Sequence, residues 1–113
     1  SVGTALPALM RQGATKKERK KDMTKKELLI RFDGLEIEKG VHIEGINQNS
    51  NKASIENAIN CLCCSDEMLE KYLLVVSLKY ENIGKRIAEN GDFKKHPFNR
   101  LYVYNTARQI LAD

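Results

Sequence analysis

The chain has no run of about 18 apolar residues, the length a helix needs to cross a bilayer, so no transmembrane helix and no membrane partner are expected. The apolar stretch Ala5-Leu6-Pro7-Ala8-Leu9-Met10 is too short, and wrongly flanked, for a secretory signal. Cysteine is scarce: Cys61, Cys63 and Cys64 form an odd, bunched set that makes a poor disulfide framework for a secreted domain. A cytoplasmic location follows as the expectation.

Catalytic signatures are missing too. There are two histidines, His42 and His96, and no glycine-rich phosphate loop, nucleophile elbow or His-x-x-x-His pair. Without such a constellation no enzyme activity is expected, and no catalytic residue, metal ligand or cofactor is assigned. Cys61-x-x-Cys64 has redox-motif spacing, but redox cysteines sit at the start of a helix, where the dipole lowers the thiol pKa. Here the pair falls near a helix end, so the thiols are expected to pack as small hydrophobes.

What the chain does have is unevenly placed charge. It carries 113 residues and a net charge of +4, enough length for one domain. Between residues 10 and 26, Arg11, Lys16, Lys17, Arg19, Lys20, Lys21, Lys25 and Lys26 face only Glu18 and Asp22, a local +6 against −2 for the remainder. Residues 1–24 hold too few large apolar side chains to repay the entropy of ordering, so they read as a flexible basic arm. Residues 25–113 read as a single small domain.

The domain reads as α+β and mostly helical. Leu28, Ile30 and Phe32, then Leu35 and Ile37, then Val41 and Ile43, follow a period of two, and Gly34, Gly40 and Gly45 interrupt any continuous helix. A short β-hairpin or ribbon over 27–46 is therefore expected, with His42 on its solvent side. Residues 47–52 form a polar loop. Three helices follow. The first, over 53–64, presents Ile55, Ala58, Ile59 and Leu62, with Asn51 or Ser54 as its cap. The second starts at an N-cap Ser65 and runs to a stop at Asn90-Gly91; Leu69, Leu73, Val76, Tyr80, Ile83 and Ile87 form a heptad-like seam along it. That seam is either a bundle core or a homodimer contact. The third runs from about Pro97 to Leu111.

The asymmetric charge points to a polyanionic partner, with nucleic acid first. Phosphates require mobile cations, and each contact releases condensed counterions. Residues Lys16, Lys17, Arg19, Lys20, Lys21, Lys25 and Lys26 are the candidates. No aromatic lies between Arg11 and Lys26 to stack on bases, so the arm is expected to supply affinity without sequence reading. A second candidate surface lies on the last helix, where Arg100, Tyr104 and Arg108 fall four apart on one face, with Lys85, Arg86, Lys94 and Lys95 as a possible extension. DNA is favoured over RNA, and a protein partner on the helical surface is the alternative.

The stretch Lys25-Lys26-Glu27-Leu28-Leu29-Ile30-Arg31-Phe32, with Asn51-Lys52-Ala53-Ser54-Ile55-Glu56-Asn57-Ala58-Ile59, resembles the ribbon-helix-helix DNA-binding accessory proteins of plasmid-mobilisation relaxosomes. The resemblance implies a strand paired across a dimer, Arg31 reading the major groove, and backbone near 51–54 meeting phosphate. The chain departs from it in placing Gly34, Gly40 and Gly45 where the family has a helix, and Glu27 and Leu29 beside Arg31.

Overall fold

Thr24-Lys25-Lys26-Glu27 opens the first element with a capping box. The Thr24 hydroxyl accepts from the Glu27 amide at 3.1 Å, and the Glu27 carboxylate accepts from the Thr24 amide at 2.8 Å. From there helix α1 runs over Lys25–Lys39 and ends at Gly40, whose φ of 66° is the left-handed conformation that stops a helix without a Cβ penalty. This computed structural model describes residues 23–113. The basic arm expected over residues 1–24, with its five cations from Lys16 to Lys21, lies outside the described residues apart from positions 23 and 24.

The expected β-hairpin over 27–46 is overturned: the described residues contain no strand, and the architecture is all-helical. Leu28, Phe32 and Leu35 are buried, at the i, i+4 and i+7 spacing of one helical face, while Ile30 and Ile37 of the supposed alternation point to solvent. Gly34 sits exposed mid-helix, where it costs about 1 kcal/mol relative to Ala without breaking the element. The alternation of Val41, His42 and Ile43 is real, with the first and third buried and His42 exposed, but it belongs to a segment without regular secondary structure. Glu36 pins that segment by accepting from the Ile43 amide at 2.7 Å and contacting His42 Nδ1 at 3.1 Å.

Helix α2 spans Lys52–Cys63, with Asn51 as its N-cap accepting from the Ser54 amide at 2.8 Å. Helix α3 spans Asp66–Lys79 behind the N-cap Ser65, and α4 spans Glu81–Glu89. The single long helix expected over 65–90 is thus two. Tyr80 leaves helical geometry at φ −124° and ψ 74°, and α4 folds back against α3. Gly84 packs tightly in this reversal: a Cβ there would lie 2.7 Å from the Ser77 Cα. Consequently the heptad seam is no continuous stripe. Leu69, Val76 and Ile87 are buried, Leu73 and Ile83 are half-buried, and Tyr80 is 40% exposed at the break.

Gly91, at φ 87°, turns the chain into a 3₁₀ turn, Phe93–Lys95, which drives Phe93 into the core. Helix α5, Asn99–Ala112, follows; His96 Nδ1 accepts from the Phe98 and Asn99 amides at 3.1 and 3.2 Å and so caps it. Four α-helices follow residue 51 where three were expected, and with α1 they make five among the described residues. Helix α1 packs on α2, α4 packs on α3, and α5 lies between the two pairs, contributing Val103, Tyr104 and Ala107 to one core. No helix among the described residues is long and apolar enough to cross a membrane.

Candidate nucleic-acid interface

Charge within residues 23–113 balances at 13 basic against 13 acidic residues, so the whole excess of +4 is carried by residues 1–22. The described part of the candidate interface begins where that segment enters α1. Lys25 donates to the Gln48 carbonyl at 3.1 Å, tying the helix start to the 47–51 turn. Lys26 is exposed. Both cations sit at the helix end where the dipole disfavours them, a cost of a few tenths of a kcal/mol each, ~0.3–1 at most, which the capping box offsets.

Arg31 is exposed on the outer side of α1 and makes no hydrogen bond or ion pair among the described residues. The ribbon implied for residues 25–32 is helical instead, so Arg31 is not presented on a paired strand. Asn51 caps α2 through the Ser54 amide, as described above, and both residues are exposed.

The stripe of Arg100, Tyr104 and Arg108 turns inward, which corrects the exposed surface expected from their spacing. Arg100 is only 2% exposed. Its Nη2 donates to the carbonyls of Cys61 at 3.0 Å, Leu62 at 3.2 Å and Cys64 at 3.0 Å, its Nε to Cys61 at 3.3 Å, and its Nη1 to Lys94 at 2.9 Å. The orphan carbonyls that end α2 thus receive a cation, the favourable sign at the negative end of a helix dipole. Asp66 approaches Nη1 at 3.9 Å. At 2% exposure, with Nε and Nη2 turned onto carbonyls and Nη1 set between the Lys94 carbonyl and Asp66, Arg100 is not presented to phosphate.

Tyr104 is 5% exposed and meets Tyr72 edge-to-face at 6.0 Å between centroids. Arg108 lies over the Tyr104 ring at 5.1 Å and donates to its hydroxyl. Of the three, only Arg108 is exposed. Lys85, Arg86 and Lys95 are also exposed, whereas Lys94 is held by Glu70 and Asp92, with the hydrogen bond to Glu70 raising its pKa above the ordinary lysine value.

An open cleft of about 530 Å³ lies between the end of α1, the α2–α3 turn and the 3₁₀ turn. Lys39 and Lys95 line it together with Glu38 and Asp66, so it carries both signs of charge. Cys63 and Cys64 also line it. Burial pushes the Cys61 thiol up to about 11, the nearby Arg100 opposing in part, and raises Cys64 in the same way. Both thiols are protonated at neutral pH, the opposite of an activated redox pair. Cys61 packs as the expected small hydrophobe, whereas Cys63 is exposed. Among the described residues no group of three His, Cys, Asp or Glu side chains converges as a metal site.

The signal missed in the sequence was the Arg100 clamp. An arginine spaced four from Tyr104 reads as a surface stripe until the α2 carbonyls it reaches are known. No protein-family model matches the chain, and no curated protein or solved structure matches it either.

Proposed function

We propose that this protein is a non-enzymatic nucleic-acid-binding accessory or regulatory protein, with duplex DNA favoured over RNA. The observation that carries the reading is the separation of charge: residues 1–22 hold the whole net +4 and lead directly into Lys25 and Lys26 at the start of α1, while the helical body is balanced. Such a segment supplies phosphate contacts through counterion release, and a neutral body adds no competing field. Lys16, Lys17, Arg19, Lys20, Lys21, Lys25 and Lys26 remain as the proposed contacts, with Arg108 as an outlying one. Arg100 and Tyr104 serve the fold instead.

The test is a salt-titrated binding assay with duplex DNA, single strands and RNA. Replacing Lys16, Lys17, Arg19, Lys20 and Lys21 with Ala should weaken duplex binding and flatten the log–log salt slope by up to about 0.9 per lost phosphate contact. Unchanged affinity and slope refute the reading. A second reading, an adaptor docking a protein partner on the helical surface, is favoured by Leu74 and Leu78 on α3, 64% and 88% exposed. Binding by that route survives both moderate salt and deletion of residues 1–22.

A further inference from the structure

We infer that the outer face of α1 is a homodimer interface in which the helix crosses its own copy antiparallel, with Gly34 at the two-fold axis. The face is apolar where no partner covers it: Ile30 is 63% exposed and Ile37 83% exposed, one on each side of Gly34. A groove of about 490 Å³ runs along this side of the helix, lined by Ile30, Arg31, Gly34 and Glu38. A side chain at Gly34 would meet nothing within 4 Å, so the groove is open at its midpoint and lets a second backbone come close.

The occupant is argued from charge and register. Ile30 lies four residues before Gly34 and Ile37 three after; Arg31 lies three before and Glu38 four after. About a two-fold axis at Gly34, an antiparallel copy brings Ile30 opposite Ile37 and Arg31 opposite Glu38, each to within one residue, about 1.5 Å of helical rise. At 100° per residue Arg31 and Glu38 share one flank of the face, and Ile30 and Ile37 share the other. An antiparallel two-fold sets like flank against like flank, so every contact occurs twice. Neither Arg31 nor Glu38 has an ion-pair partner among the described residues. A parallel two-fold would set the Arg31 and Glu38 flank against the Ile30 and Ile37 flank and leave both charges unpaired, and an unrelated partner would have to match this spacing by chance. The second copy already carries it.

One helix crossing falls at the small end of specific interfaces, below about 1,200 Å², so association belongs in the micromolar range. One consequence rests on the nucleic-acid reading, whereas the dimer itself does not. The basic segments would enter the two α1 helices some 20 residues of rise apart, about 30 Å, close to one turn of duplex.

Sedimentation equilibrium of the full chain, without nucleic acid, from about 5 to about 200 µM tests the interface. The expected result is a monomer–dimer equilibrium. Arg31→Glu and Glu38→Arg each weaken it at least about tenfold, and the double variant R31E/E38R restores it. Ile37→Asp abolishes it with unchanged far-UV circular dichroism, as its exposure predicts. A chain monomeric throughout, an R31E/E38R double variant weaker than either single one, or a dimer lost on Leu74→Asp and Leu78→Asp but indifferent to I37D overturns the proposal. A dimer that binds no DNA refutes the proposed function and leaves the interface standing.

Discussion

Replacing Arg100 with Met removes a guanidinium that makes five hydrogen bonds to four carbonyls and leaves the last carbonyls of α2 facing an apolar side chain. Each buried carbonyl left unpaired costs about 1–3 kcal/mol, reduced where water or a shifted neighbour reaches it. Three carbonyls close the end of α2, of which that of Cys61 keeps the Cys64 amide at 3.2 Å, and one belongs to Lys94, so three lose their partner. Part of that loss is recovered because the Met variant no longer desolvates a charge, which alone costs several kcal/mol. A net loss of about 3–5 kcal/mol is expected, the lower part of the ~3–9 that three carbonyls left unpaired would cost. For a domain of this size each kcal/mol moves the melting temperature by about 4–8 °C, so a fall of at least ~12 °C should appear in thermal unfolding followed by circular dichroism. Arg100→Lys should recover only part of it, because one ammonium cannot reach carbonyls fixed for a planar fork. An R100M protein melting within about 4 °C of the wild type, yet binding nucleic acid more weakly, would refute this assignment and return Arg100 to the interface.

Two further perturbations separate local from tertiary effects. Gly84→Ala gains about 1 kcal/mol of helix propensity but forces a Cβ against the Ser77 backbone, so the variant should be net destabilised by about 1–2 kcal/mol; Gly34→Ala, with open space around it, should instead be stabilised by up to about 1 kcal/mol at low protein concentration. Equal signs for the two in denaturant unfolding would contradict the α3–α4 crossing. The Cys61 thiol is held protonated up to about pH 11 in the folded chain, above its ordinary value of 9.0. Its contribution is complete below pH 9 and is lost as pH rises toward 11, by at most about 2–3 kcal/mol, because the unfolded chain releases the proton first. Comparing wild type with Cys61→Ala across that window isolates the effect from the lysines and tyrosines, and parallel curves would refute it.

Several features were legible in the chain because they depend on neighbours a few residues away. Asn51 and Ser65 cap helices through their own side chains, Gly91 turns the backbone after α4, and 47–51 is a turn region held by Asn47 and Ser50. The start of α1 was equally local: Thr24 and Glu27 spell a capping box, and Leu28, Phe32 and Leu35 fit one helical face. The same residues also fit an alternation of two once Ile30 and Ile37 are counted as core. Nothing in a single sequence says which apolar residues remain exposed.

By itself, then, the sequence determined the caps, the turns, the separation of a basic segment from a balanced body, and the absence of a membrane-length apolar run. Tertiary structure decided the rest. The break at Tyr80 follows from Gly84 meeting Ser77 across a reversal, and Arg100 points inward because the end of α2 offers carbonyls 36 to 39 residues away. A periodicity records only which side chains share a face. Whether that face meets water, a core or the open end of another helix depends on where the distant elements come to rest.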